Sequence, residues 1–153
     1  MRRPTNKKPA DPKARAIQLL ARREHSAREL QRKLEARGIA ADEAESAVAE
    51  VAAAGWQSDE RYAEMLVRSR VAQGYGPMRI KAELEVAGLP SDKVREALDG
   101  AGVDWREHAL EAHTKRFGAP PKTSAERAKQ YRYLQGRGFD GDQIQAALKG
   151  SNF

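Results

Sequence analysis

The fold is decided by the stretch Gly76-Pro-Met-Arg-Ile-Lys-Ala-Glu-Leu84-Glu-Val-Ala-Gly88-Leu89, which is followed by Asp92, Val94, Ala97 and Leu98. Fifty residues earlier the chain reads Ser26-Ala-Arg-Glu-Leu-Gln-Arg-Lys-Leu34-Glu-Ala-Arg-Gly38-Ile39, then Asp42, Ala44, Ala47 and Val48. Fifty residues later the same kinds of residue return as Leu134, Gly138, Phe139, Asp142, Ile144, Ala147 and Leu148. Because this register holds without a gap, the sequence predicts three tandem repeats.

Each repeated position has a physical role in a pair of helices. The repeated leucine belongs to the buried stripe of one helix, and the repeated glycine ends that helix because glycine adopts a left-handed conformation without steric cost. The apolar residue after the glycine folds back onto the helix, and the aspartate lies at the start of the next helix. The third copy departs from the pattern at one buried position, where it has Gln130.

A further helix precedes each pair, so each repeat is predicted to be a three-helix unit in an all-α chain. These first helices are expected at Pro12–Arg23, Asp59–Gln73 and Trp105–Phe117. Capping-box patterns and a proline at the first helical position predict the second helices, at Ser26-x-x-Glu29, Thr123-x-x-Glu126 and Gly76-Pro77. We expect a flexible basic tail at 1–11 and units at 12–54, 55–103 and 104–150, stacked into an elongated curved array.

Charge follows the repeat. The chain has a net charge of +6, and residues 1–37, 65–82 and 113–138 carry +8, +4 and +6, whereas 38–64 and 83–112 carry −6 and −5. Stacked repeats would place basic side chains in a stripe able to follow phosphates, while the acidic blocks disfavour a pure DNA binder. The stripe is predicted to contain Arg22, Arg23, Arg28, Arg32, Lys33, Arg68, Arg70, Arg79, Lys81, Lys115, Arg116, Lys129 and Arg132.

The composition excludes several classes of protein. There is no cysteine, no run of 18 apolar residues and no secretory leader pattern, so we expect a soluble cytoplasmic protein without disulfides. No catalytic set, metal motif, cofactor site or small-molecule site is recognisable. The histidines His25, His108 and His113 are predicted to have surface or capping roles. Most aromatic residues are assigned to thin cores, and Tyr75, in a turn, is the best candidate for an exposed contact.

The central stretch resembles the signature of the RecX family. The resemblance rests on Asp59-Glu-Arg-Tyr-Ala, Arg68-x-Arg70 and Gly74-Tyr-Gly-Pro-x-Arg79-Ile80-x-x-Glu83-Leu84. Flanking agreement comes from Leu20-x-x-Arg23-x-x-Ser26-x-x-Glu29-Leu30-x-x-Lys33-Leu34 and from Tyr133-Leu134-x-x-Arg137-Gly138-Phe139. The resemblance covers about residues 13–150 and is most specific over 59–84.

The resemblance implies a non-enzymatic regulator of the bacterial recombinase RecA, acting in recombination, DNA repair and the SOS response. Members of the family bind in the groove of the RecA filament on DNA and usually inhibit strand exchange, ATP hydrolysis and coprotease activity. The RecA filament is therefore the expected partner, with weak nonspecific affinity for single- or double-stranded DNA. The alternative is a general nucleic-acid-binding helical repeat protein without a protein target. The central contact is predicted to comprise Arg68, Arg70, Tyr75, Arg79 and Lys81.

Overall fold

The structure of the protein, a computed structural model, describes residues 11–150. These residues form nine α-helices and no strand, so the all-α prediction with three helices per repeat is confirmed. The predicted tail at 1–11 lies outside the described residues except for Asp11, which caps the first helix. The helices are α1 (Pro12–Arg22), α2 (Ala27–Ala36), α3 (Ala41–Ala53), α4 (Asp59–Ala72), α5 (Pro77–Val86), α6 (Ser91–Asp99), α7 (Trp105–Phe117), α8 (Ser124–Arg137) and α9 (Gly141–Lys149).

The helices begin at the polar signals in the sequence, with one difference in the capping boxes. Ser26 and Thr123 accept hydrogen bonds from the backbone N–H groups of Glu29 and Glu126, as predicted. The glutamates do not return the bond, because Glu29 pairs with Arg23 and Glu126 accepts from the backbone of Lys122. A complete reciprocal box forms instead at the start of α9, between Asp140 and Gln143.

The helices end at the repeated glycines. Gly38, Gly88 and Gly138 have φ of +88°, +93° and +99°, the left-handed conformation that the sequence predicts for them. In the first and third repeats the backbone N–H after the glycine donates to the repeated leucine's carbonyl, at 3.2 Å in both. The apolar side chain that follows each glycine is buried and closes the end of its helix.

The helices fall into two compact units, one within Met1–Tyr62 and Ala87–Leu89 and the other within Ala63–Val86 and Pro90–Phe153. In the first unit α1 and α2 pack on α3 around a core rich in small residues, namely Ala16, Leu30, Leu34, Ile39, Ala44, Ala47, Val48 and Val51. In the second unit α7 and α8 pack on α9 around Ala109, Leu134, Phe139, Ile144, Ala147 and Leu148. The alanines of the first core allow close helix packing without an aromatic residue, whereas the second core includes Phe139.

The histidines are buried, so their predicted surface role is wrong, whereas the alternative capping role fits His25, whose Nδ1 lies 3.0 Å from the carbonyl of Arg23, the residue that caps the end of α1. His25, His108 and His113 are 1%, 9% and 2% exposed. His113 explains why the third repeat departs from the apolar pattern, because its Nε2 lies 2.6 Å from Oε1 of the buried Gln130. A buried polar side chain needs a partner, and the two residues satisfy each other where the other repeats have Leu30 and Ile80.

Candidate partner-binding surfaces

The turn between α4 and α5 encloses Tyr75 instead of presenting it. The guanidinium groups of Arg79 and Arg137 lie over the Tyr75 ring, with Cζ atoms 3.9 and 3.8 Å from its centroid. Cations prefer the electron-rich face of an aromatic ring, so these contacts stabilise the turn. Stacking of a nucleobase on Tyr75 would therefore require one of the two arginines to move.

The backbone around Tyr75 is hydrogen-bonded to the end of α8. Gly76 N–H donates to the carbonyl of Arg137 and Met78 N–H to the carbonyl of Gly138, both at 2.8 Å. His108 on α7 adds a third hydrogen bond, with its Nε2 3.1 Å from the carbonyl oxygen of Tyr75. The turn is therefore part of the packing of the second compact unit.

Arg70, a second member of the predicted central contact, forms an internal ion pair. Its Nε lies 2.9 Å from Glu83 Oε2 and its Nη2 lies 2.9 Å from Glu83 Oε1, a bidentate geometry. Arg79 Nε lies 3.7 Å from the same carboxylate, so one acid faces two arginines. Both side chains of the Arg70–Glu83 pair are only about one quarter exposed, 25% and 30%. Because partial burial reduces screening, this pair holds α4 against α5 more firmly than a surface pair would.

The other two members of the predicted central contact remain open to solvent. Arg68 on α4 and Lys81 on α5 are exposed. Arg68 borders a shallow apolar groove between α4 and α6. The structure thus separates the five predicted residues into three that have partners in or beside the turn, of which Arg79 is also exposed, and two exposed residues, Arg68 and Lys81.

The basic residues of the first compact unit also fall into a group with internal partners and a group that is exposed to solvent. Arg23 forms a bidentate pair with Glu29 at 2.7 and 3.1 Å, and Lys33 Nζ lies 2.9 Å from His25 Nε2. Burial raises the pKa of Glu29, but the hydrogen bonds and charge of Arg23 outweigh it, and the net pKa is lowered. The remaining candidates in this unit are exposed: Arg22, Arg28 and Arg32.

The pKa of His25 is lowered by its burial, and the nearby charges of Arg23 and Lys33 lower it further. His25 Nδ1 lies 3.0 Å from the carbonyl of Arg23, which leaves Nε2 of the neutral ring to accept from Lys33. Lys33 is therefore directed inward and is a poorer candidate for a phosphate contact than its exposed neighbours.

In the third repeat, Lys115 and Arg116 at the end of α7 line a pocket together with Tyr133 and Arg137. Arg116 lies 5.4 and 5.5 Å from the ring centroids of Phe117 and Tyr133, so it is held over aromatic surface. The remaining two candidates in this repeat, Lys129 and Arg132, are exposed on α8.

Several structural residues of the first compact unit were not recognised from the sequence. Asp59 accepts a 2.8 Å hydrogen bond from the backbone N–H of Ala27, so it caps α2 from 32 positions away. Arg61 pairs with Glu24 at 3.0 Å and donates to the carbonyls of Gly55 and Trp56. Both residues belong to the Asp59-Glu-Arg-Tyr-Ala motif, and the motif itself was the only available signal.

Within residues 11–150 no group of three or more His, Asp or Glu side chains is placed to hold a metal ion. Over the same residues, no helix combines the length and the apolar character needed to cross a bilayer.

Family models match the chain in three consecutive segments. They are the first, second and third three-helix domains of RecX, over residues 13–50, 58–98 and 104–148. Curated relatives share the name Regulatory protein RecX. One from Stenotrophomonas maltophilia (strain R551-3) is 47% identical over 149 residues, covering 97% of this chain and 90% of that protein. One from Chromohalobacter salexigens is 47% identical, covering 91% of each chain.

Solved structures show the same fold. The crystal structure of RecX from Lactobacillus salivarius aligns with a TM-score of 0.76 at 20% identity, covering 92% of this chain and 94% of that one. A second crystal structure, of regulatory protein RecX, aligns with a TM-score of 0.74 at 19% identity, covering 92% and 73%.

Proposed function

This chain belongs to the RecX family of regulatory proteins, and we propose that it regulates the RecA recombinase by binding the RecA filament on DNA. The observation that carries the proposal is the 47% identity to a protein named Regulatory protein RecX along 97% of this chain. Membership of the family implies action on RecA, mostly inhibition of its recombinase, ATPase and coprotease activities. Binding along a polymer can give strong overall attachment from several weak contacts, without a deep pocket.

The contacts within the second compact unit support two different roles for the residues of the predicted central site. Arg68 and Lys81 present charge on the exposed faces of α4 and α5, and we assign them to contact with the filament. Arg70, Tyr75 and Arg79 form internal pairs and stacks, so we assign them to positioning the two helices. A charge reversal at Arg70 or Arg79 would break these internal contacts as well as any external ones. The exposed pair therefore gives the cleaner test.

The test is a RecA ATPase assay on single-stranded DNA with this protein at well below one molecule per RecA protomer. We expect inhibition by the wild-type chain and its loss in the double variant Arg68→Glu/Lys81→Glu. Arg95→Glu/Arg106→Glu is the matched control, because it makes the same charge change at exposed residues of α6 and α7. Unchanged RecA ATP hydrolysis and strand exchange with the wild-type chain would refute the function. Equal effects of the two double variants would refute the assignment of Arg68 and Lys81.

The net positive charge of the chain also favours an alternative function, that of a general nucleic-acid binder. That alternative predicts equal affinity for bare and RecA-coated strands, with a steep dependence on salt. A RecA regulator binds the coated strand more tightly. Anisotropy titrations on the two substrates separate these functions without requiring any variant.

A further inference from the structure

A basic pocket in the second compact unit is not used by the contacts proposed above. It has a volume of about 400 Å³ and lies among the end of α4, α7 and α8. Val71, Ala72 and Ala112 supply apolar surface to its lining. The charged side chains in the lining are Lys115, Arg116, Arg137 and one carboxylate, Glu111. The pocket thus combines excess positive charge with apolar surface.

Arg137 gives this pocket a fixed positive charge. Its guanidinium donates to the backbone carbonyls of Gln73 and Gly74 and lies over the Tyr75 ring. These partners orient the group but carry no negative charge, and in the described part of the chain no carboxylate pairs with it. A cation held by neutral groups is preorganised for an anion, because little side-chain entropy remains to be lost on binding.

The two cations of α7 extend this charge along the pocket. Lys115 is exposed and has no ion pair among the described residues. Arg116 lies over the aromatic surface of Phe117 and Tyr133, which restrains its guanidinium. The carboxylate of Glu111 is turned toward His108, whose Nδ1 lies 3.9 Å away. The positive groups therefore come from two helices and can meet more than one negative charge.

We infer that this pocket binds a nucleotide segment of a single-stranded nucleic acid. The cations would contact consecutive phosphates, and the apolar surface beside Tyr133 would receive the flat face of a base. The Asp and Glu side chains of an acidic peptide supply negative charge but no flat ring, and a duplex keeps its bases stacked inside. The inference deepens the DNA affinity that the sequence predicts, because it names one pocket and a single-stranded ligand. It requires no contact with the recombinase and would stand if recombinase regulation failed.

The experiment measures binding of fluorescein-labelled oligo(dT) by fluorescence anisotropy across a range of salt concentrations. The pocket variant is Lys115→Gln/Arg116→Gln, and the matched control is Lys122→Gln/Lys149→Gln, which removes two exposed charges outside the pocket in the same repeat. We expect the pocket variant to bind about 10-fold more weakly or worse, and the control to change by less than about 2-fold. The slope of log affinity against log salt should fall by about 1.4, corresponding to two lost phosphate contacts on a single strand.

Three results would overturn the inference. Equal loss in the pocket variant and the control would mean general electrostatic attraction and no site. Equal competition by poly-glutamate of matched charge would point to an acidic protein segment, and equal competition by duplex DNA would exclude a bound base. Circular dichroism checks the folding of both variants. If the double variant unfolds, the single variant Lys115→Gln tests the inference instead. The Lys115 side chain makes no hydrogen bond among the described residues, so its replacement should leave the fold intact and must still weaken oligo(dT) binding.

Discussion

Replacing Gly76 by alanine should destabilise the second compact unit through a backbone clash. A Cβ atom at Gly76 would lie 2.5 Å from both C and O of Gly138 and 2.7 Å from the N of Phe139. Nine in ten real Cβ contacts are 3.4 Å or longer, and 2.5 Å essentially never occurs, so the start of α5 must move by about 1 Å in this close-packed region. The clash is with main-chain atoms, which have no alternative rotamer.

The cost follows from the hydrogen bonds that this shift disturbs. The bonds from Gly76 N to Arg137 O and from Met78 N to Gly138 O are both 2.8 Å long, and a shift of that size takes them beyond hydrogen-bonding range. Each lost bond costs about 1 kcal/mol, and more where a buried group is left unsatisfied. We therefore expect a loss of about 2–4 kcal/mol in the free energy of unfolding.

Gly136 provides a matched control for this substitution. It lies in the last turn of α8, and a Cβ atom there would meet nothing within 4 Å. Since alanine is the better helix former, Gly136→Ala should stabilise the fold by about 0.5–1 kcal/mol. The assay is urea unfolding followed by circular dichroism for both variants. A Gly76→Ala midpoint equal to or above that of the wild type, with Gly136→Ala behaving as expected, would refute the reasoning.

Two further predictions concern buried histidines. Gln130→Leu should lower the free energy of unfolding by about 1–3 kcal/mol, because it leaves His113 without its hydrogen-bond partner. The double variant His113→Leu/Gln130→Leu should have a free energy of unfolding closer to that of the wild type. A double variant at least as unstable as the single one contradicts this. The lowered pKa of His25 means that the folded state binds its proton less readily than the unfolded state, whose value is near 6.5. Stability should therefore be complete above that pH and decline as the pH falls toward the lower folded pKa. His25→Gln should flatten this decline in urea midpoints measured between about pH 7.5 and 5.5, and an equally steep decline would show that His25 is not its cause.

The helix boundaries could be predicted because they depend on local chemistry. Gly38, Gly88 and Gly138 end helices, and Ser26 and Thr123 begin them, through bonds within one turn of chain. Such bonds recur at fixed short spacings, so a single sequence displays them. The nine helices of residues 11–150, in three sets, follow from these signals together with the apolar periodicity.

The long-range partners could not be predicted in the same way. Asp59 caps α2 across 32 residues, and Arg137 reaches the carbonyl of Gly74 across 63. Nothing in the spacing of such residues marks them as neighbours, because their distance depends on how the helices pack. One signal was available: Gln130 stands where the other repeats are apolar, and a polar residue at a buried position implies a buried partner.

The same distinction applies to the residues of the family signature. Asp59, Arg61, Arg70 and Gly76 all lie in the family-like stretch, and each makes an internal bond to a different helix or to a connection between helices. These residue types are required by the geometry of the fold, whatever the fold binds. We therefore propose that partner specificity is carried by exposed residues, whose identity the internal packing leaves open. Lys115 and Lys81 are of this kind, so charge changes there should alter binding while leaving the unfolding midpoint nearly unchanged.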